Sequence, residues 1–397
     1  MVLSPAGDRP VRGARRAAIW KRHLAQNNTI YLLHGAASGA IIRFGMNKIP
    51  IIDVTDLYHP YQDCGDNFDL VAAYALPEVE LRAVILDVTE RFRQRSTQAG
   101  FYSDASGPRD PGFIPVTQLN YIFGRRVPVA AGPFYQMRSG TDPMIDGPRF
   151  GQAGVELILE TLRDSAEPVD ILCFSSARAI AAAWNRQPEL LRQKVRRLHL
   201  SAGAAPGGYL EWNVALDPYA FARLLRSDLP IALYPCATSE GPFSYGQHNT
   251  YWNLPNLEFI RGMEPRLRRY LGFAFGRIAR MDFLRAMDED LPAEIMEGMY
   301  KTEHRVWETA IWQTLTGRRL VKCQEGFRLM PVPEAGRNPG LPSDLRPVHL
   351  NVRDDGDFDF TFTRSPTSCY LYDRGDARAN EAALREALPA LYQGFTP

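Results

Sequence analysis

Residues 50–87 read PIIDVTDLYHPYQDCGDNFDLVAAYALPEVELRAVILD. An apolar run, Pro50 to Ile52, leads into five aspartates (Asp53, Asp56, Asp63, Asp66 and Asp69), and a second apolar run, Leu70 to Leu76, has the spacing of a buried helix. Pro77 ends that helix because it lacks an N–H and crowds the turn before it. Leu81 to Leu86 is then short and apolar apart from Arg82, as expected of a strand covered on both faces. Strand, acidic turn, helix, strand is the opening of a parallel α/β sheet.

The same alternation continues along the chain. Strands are expected at Ile51–Val54, Leu81–Leu86, Val127–Ala131, Val169–Phe174, Arg197–Ser201 and Pro230–Tyr234. Helices are expected at Asn67–Leu76, Val116–Phe123, Gly151–Arg163, Ala177–Asn185, Pro188–Lys194 and Pro218–Arg226. Gly241 to Pro255 carries Gly and Pro breaks and reads as a loop or mobile cap. Long helical stretches follow from Pro265 to Thr316, and Asp355-Gly356 marks a hairpin between Val348–Val352 and Asp357–Thr363. An amphipathic helix, Asn380–Leu391, comes last. The fold class is α/β: an open, mostly parallel, doubly wound sheet with additional C-terminal helices and a terminal β-hairpin.

Composition narrows the partners. Lys plus Arg number 46 against 45 for Asp plus Glu, so no global field favours nucleic acid or a membrane surface. Five scattered cysteines without a CxxC pair argue against a disulfide framework and a zinc site, and point to a reducing, cytoplasmic compartment. Residues 1–45 contain an Arg-rich segment and a short apolar one, and read as an N-terminal extension to a folded unit of 46–397. YLLHGAASG at 31–39 resembles the oxyanion-hole stretch of α/β-hydrolases, but no Gly-x-Ser-x-Gly elbow follows it.

In an open parallel sheet, ligands meet the carboxyl ends of the strands. Acids directly after Ile51–Val54 therefore stand where a ligand binds. Any one of them has an ordinary explanation as a helix cap or a solvated loop charge. Five so close together repel unless something positive sits among them, and a hard cation with oxygen ligands, Ca²⁺ in particular, relieves that repulsion.

The order of these features resembles the nucleoside hydrolases of the inosine-uridine-preferring type. They open with a strand, Asp-x-Asp-x-x-x-Asp-Asp and a helix, and later carry Glu-Phe-Asn-x-x-x-Asp-Pro, which Glu211-x-Asn213-x-x-x-Asp217-Pro218 matches here. The resemblance implies hydrolysis of a ribonucleoside's N-glycosidic bond by a Ca²⁺-bound water. It places Asp56 against both metal and water, Asp63 against the sugar hydroxyls, Asp66 as the helix-start metal ligand and the main-chain carbonyl of Phe174 as another ligand. Glu211 and Asn213 would hold the sugar, and Asp53 would support the strand end. A shifted register brings Asp69 into the metal shell instead. The opening motif departs from the family through the insertion LYHPYQ and through Asn67 at the second helix-start acid. No His-Asp dipeptide occurs, and Trp307-Glu308 falls at its place, with Glu308 as ligand and His304 as a leaving-group contact. Tyr245, His248, Asn249, Tyr251 and Trp252 are the candidate base contacts. The implied partner is a small nucleoside-like substrate, and a homo-oligomer is expected by resemblance alone. Two alternatives stand beside this reading: a diverged, non-catalytic binder on the same fold, and a metal-dependent phosphohydrolase.

Overall fold

The computed structural model describes residues 48–59, 63–87, 110–278 and 280–397. The proposed extension 1–45 lies outside them, and Asn47–Pro397 forms one compact unit. Thirteen strands follow in chain order among the described residues. They are β1 (Ile49–Thr55), β2 (Val79–Leu86), β3 (Val129–Ala131), β4 (Val169–Cys173), β5 (Val195–Leu200), β6 (Ile231–Leu233), β7 (Trp252–Leu254), β8 (His304–Val306), β9 (Arg318–Cys323), β10 (Gly326–Pro331), β11 (Asp344–Val352), β12 (Phe358–Phe362) and β13 (Cys369–Asp373).

Nine of these make one sheet in the order β12-β11-β13-β6-β5-β4-β1-β2-β3. From β3 to β13 every neighbouring pair is parallel, while β11 and β12 add an antiparallel edge. Ile51, Ile52 and Val54 are fully buried, as are Ile171 and Leu172 on the adjoining strand, because helices cover both faces. The chain moves outward from β1 on one side and from β4 on the other. The strand order therefore reverses between β1 and β4, and the gap beyond their carboxyl ends is the topological switch point of the sheet.

Two expectations need correction. The segment Pro265–Thr316 is not a run of long helices: it contains helices Pro265–Phe275, Ala293–Tyr300 and Thr309–Thr316, with strand β8 paired antiparallel to β7. Gly276 ends the first helix and Arg277 takes a positive φ of 54° after it. Nor is Gly241–Pro255 a loose cap. The buried Arg374 guanidinium donates to the carbonyls of Gly246 (3.0 Å) and Tyr251 (2.6 Å) and to Asn249 Oδ1 (2.6 Å), and this fastens the segment to the end of β13. Strands β9, β10 and β13 escaped the sequence reading. No helix among the described residues is long and apolar enough to cross a membrane, and all five cysteines are free.

Candidate active site

The helix that follows β1 spans Cys64–Ala75, three residues earlier than the sequence suggests. Its N-cap is Asp63, whose Oδ1 accepts from the N–H of Gly65 at 2.7 Å. Asp66, expected at the cap, instead lies in the first turn and is almost fully buried. Three distant aromatic residues hold the helix. Tyr270 donates to Asn67 Oδ1 (2.9 Å), Tyr392 donates to the Phe68 carbonyl (2.7 Å) and Trp312 donates to Asp69 Oδ1 (2.6 Å). Asn67, which replaces the second helix-start acid of the family pattern, also donates to the Asp63 carbonyl at 2.8 Å. Its amide is thus spent on structure.

Asp53 and Asp56 on the strand side face Asp69 and Asp66 on the helix side, each as a carboxyl–carboxyl contact. Asp53 is fully buried and neither of its oxygens meets an N–H or O–H donor. A hydrogen bond to Asp69 therefore exists only when one of the two carries a proton. Burial pushes Asp53 and Asp56 up to about 7. Asp66 is pushed well above the usual carboxylate range, first by burial and then by the charges of Asp56, Asp63 and Glu308. At an effective dielectric constant of about 20, two such charges at contact repel by roughly 4 kcal/mol, so the cluster holds protons or takes up a cation.

Glu308 closes the cluster from the far half of the chain. Burial and then the charge of Asp63 push it up to about 8, and its Oε2 accepts from the N–H of Trp307 at 2.9 Å. It lies so near the helix start that a Cβ on Gly65 would fall 1.7 Å from Glu308 Oε2. Opposite, Glu211 caps the short helix Trp212–Leu216 and accepts from the N–H groups of Gly203 (3.0 Å) and Asn213 (3.1 Å); burial pushes it up to about 6. Asn213 donates its side-chain amide to the Ser201 carbonyl at 2.9 Å.

These groups share one cavity of about 310 Å³ at the switch point. It is lined by Asp56, Asp63, Asp66, Phe174, Glu211, Asn213 and Glu308, together with Tyr58, Trp212, Cys236, Pro242, Phe243 and Trp307. The strand order is what brings Asp56 (after β1) and Phe174 (after β4) to the same opening.

Comparison with known proteins follows the same lines. No family profile matches the chain. It is similar in sequence to the pyrimidine-specific ribonucleoside hydrolase RihA of Citrobacter koseri, 28% identical over 196 residues, 43% of this chain and 57% of that one. RihA of Salmonella typhimurium is 29% identical over 195 residues, 43% of this chain and 58% of that one. Over that stretch the chain resembles the nucleoside hydrolases. The matched part spans little more than half the length of these relatives. Among solved structures, the effector protein XOO4466 has the same fold, with a TM-score of 0.50 and 13% identity over 96% of this chain and 99% of that one.

Other expected site residues lie elsewhere. His304 sits on β8, tilted against Phe275 at 5.4 Å, with a buried Nε2 that has no partner, and burial pushes it down to about 4. It does not line the cavity. Tyr245 donates to Glu381 at 2.5 Å, and His248 Nδ1 lies 3.1 Å from the Tyr372 carbonyl. Asn249 is buried under Arg374, and Trp252 is a core residue that donates to Thr309 Oγ1 at 3.2 Å. None of these four lines the cavity, because the segment that carries them is pinned to β13 and the C-terminal helix. The rings at the opening are Tyr58, Trp212, Phe243 and Trp307. Asp217 caps the helix Pro218–Leu225 and is also ion-paired with the buried Arg178 at 2.6 Å.

Asp87 escaped the sequence reading. It is fully buried at the end of β2, accepts from Ser176 Oγ at 2.6 Å and adds its charge to that of Asp56. The signal was present: VILD ends in an acid as PIID does.

Proposed function

We propose that the protein hydrolyses the N-glycosidic bond of a ribonucleoside or nucleoside-like compound, with Ca²⁺ held by Asp56, Asp66, Glu308 and the Phe174 carbonyl. The observation that carries this reading is the convergence of those groups with Asp63, Glu211 and Asn213 on one cavity at the switch point. The donor set is all oxygen and crowded with acids that raise each other's pKa, which suits a hard cation. Among the described residues no three acids, histidines or cysteines are already drawn into a metal cage, since the carboxyls are drawn into pairs. When bound, such a cation supplies Lewis acidity that makes water easier to deprotonate.

The chain's own groups then have distinct tasks. Asp56, only partly buried at the cavity, accepts the proton of the attacking water. Asp63 is exposed to the opening and accepts hydrogen bonds from the ribose hydroxyls. Carboxylates around the sugar stabilise the positive charge that develops on the ring as the C–N bond breaks. Glu211 and Asn213 orient the sugar from the opposite wall.

A phosphohydrolase reading is less well supported, because the described lining offers no Lys or Arg to a phosphate and five carboxyls would repel it. The test is a reducing-sugar assay on a nucleoside panel with metal analysis of the same preparation. Release of free base and ribose by calcium-loaded protein, with loss of about a hundredfold or more in Asp56→Asn, is expected. Nucleoside binding without sugar release would favour a non-catalytic binder, and phosphate release from an ester would favour the phosphohydrolase.

A further inference from the structure

A departing base takes with it the electron pair of the carbon–nitrogen bond, and a neutral heterocycle leaves poorly until a proton meets that pair. The histidine expected for this task, His304, is outside the cavity, and the described lining contains no histidine at all. Nor do the acids supply the proton once a cation is held. Asp56, Asp66 and Glu308 bind it as carboxylates, since a ligand must lose its proton to coordinate. Asp63 Oδ1 accepts from the Gly65 N–H, and Glu211, pushed up only to about 6, accepts from the N–H groups of Gly203 and Asn213. The Cys236 thiol is turned to the Tyr234 carbonyl at 3.8 Å, and the Trp307 indole N–H donates to the Cys236 carbonyl at 2.8 Å.

What remains is Tyr58, whose phenol is the one alcohol or phenol group in the described lining. Its neighbours in the inserted segment fix its place. Leu57 before it is fully buried, and His59 after it exchanges two main-chain hydrogen bonds with Asp110, at 3.0 and 2.7 Å. The His59 ring stacks on Phe273 at 4.7 Å, and its Nε2 donates to the Ile278 carbonyl at 2.6 Å. With Leu57 and His59 both anchored in the interior, the tyrosine ring between them is delivered to the cavity wall, two residues beyond Asp56.

We propose that Tyr58 is the catalytic acid of this site, giving its phenol proton to the base as it departs, and that the substrates are nucleosides with neutral, unactivated bases. This rests on the N-glycosidic reading above and adds to it the residue and the leaving-group class. Water oxygen bonds to the anomeric carbon and the water proton passes to Asp56. The carbon–nitrogen bond breaks, its electron pair goes to the base, and the base leaves neutral with the proton of Tyr58. The proton on Asp56 then restores the phenol, so that one water is divided between sugar and base.

Two ribosides that differ in what their leaving groups need test it on the full chain. Uridine releases a base that must be protonated, whereas 4-nitrophenyl β-D-ribofuranoside releases a phenolate that is stable without a proton. In Tyr58→Phe, which keeps the ring and removes the hydroxyl, kcat on uridine is expected to fall about a hundredfold or more. The ratio of kcat/KM for the two substrates is expected to shift against uridine by a similar factor. An equal loss on both substrates marks a role in folding, sugar or metal binding and overturns the proposal, as does no loss. The unaltered chain gives a second measurement that does not depend on the variant folding. If nucleosides of a uridine and inosine panel are cleaved, but more than about a thousandfold more slowly than the nitrophenyl riboside, no acid serves the base. The inference then fails and the N-glycosidic reading stands. If no nucleoside of the panel is cleaved by the calcium-loaded chain, both fall.

Discussion

Trp312 donates its indole N–H to the buried carboxyl group of Asp69 at 2.6 Å, across 243 residues of sequence. Among the described residues the other oxygen of Asp69 meets no donor, and it lies against the Asp53 carboxyl. This bond ties the helix Thr309–Thr316, whose N-cap is Glu308, to the helix that carries Asp66. It therefore sets the distance between two of the proposed metal ligands from a position outside the cavity.

Trp312→Phe keeps the ring and removes the donor. Burial and the Asp53 charge push Asp69 well above the usual carboxylate range, and a hydrogen bond to a buried neutral group contributes about 0.5–1.5 kcal/mol. Urea denaturation should show a loss of that size, with calcium affinity falling alongside it. An unchanged midpoint would mean that the bond contributes nothing.

Gly65 is the one position at the helix start where a side chain cannot be accommodated without moving Glu308, since the added Cβ would lie 1.7 Å from its Oε2. Gly65→Ala should cost about tenfold or more in calcium affinity. Alanine favours the helix by up to about 1 kcal/mol over glycine, so the thermal midpoint should change little. Calorimetric titration with calcium beside circular dichroism separates the two effects, and full calcium affinity in the variant would show that Glu308 is no ligand.

Arg178 and Asp217 form an ion pair at 2.6 Å with both side chains buried, and the guanidinium also donates to the carbonyls of Phe134 (2.7 Å) and Leu216 (3.1 Å). Breaking such a pair leaves a buried charge alone, at a cost of about 3–5 kcal/mol. Arg178→Met and Asp217→Asn should each destabilise by that order, and the double variant by clearly less than their sum. Additive losses would show that the pair is not coupled.

Asp53 is raised from 3.8 to about 7, first by burial. Between those values the folded chain keeps a proton that the unfolded chain has lost. The stability Asp53 contributes is therefore full below the unfolded value and is lost as pH rises through the folded one. Metal-free protein is expected to melt at lower temperature as pH rises from about 5 to about 8. Asp53→Asn, which presents an N–H toward Asp69 at every pH, should flatten that dependence. Differential scanning calorimetry after chelation reads it directly, and a slope unchanged by the substitution would remove Asp53 as its source.

Much of the fold was legible because it rests on local periodicity. Apolar runs at 51–54, 81–86 and 169–174, each broken by one charged residue (Asp53, Arg82 and Asp170), read as strands covered on both sides, and the helical spacing between them left a parallel sheet. The C-terminal part was harder. His304–Val306 becomes a strand only because Trp252–Leu254 lies beside it, a pairing without local signature. Tyr245, His248, Asn249 and Trp252 looked like base contacts for a related reason. Aromatic and amide side chains in a Gly-rich segment have the same pattern whether they face a ligand or a buried arginine, and Arg374 decides between the two from 125 residues beyond Asn249.

By itself the sequence determined the chemistry that gathers in this protein: acids at the end of a first strand and the start of a first helix, a Glu-Asn-Asp-Pro segment later, and a parallel sheet beneath them. Only the tertiary structure decided which of those acids share a cavity and which share a proton. Strand order brings the ends of β1 and β4 together. Three aromatic hydrogen bonds set the rotation of the helix, so that Asp66 faces the cavity while Asp69 faces Asp53 and Trp312. Residues three apart on a helix point nearly the same way. Which of them meets the substrate is decided by what packs on the other side.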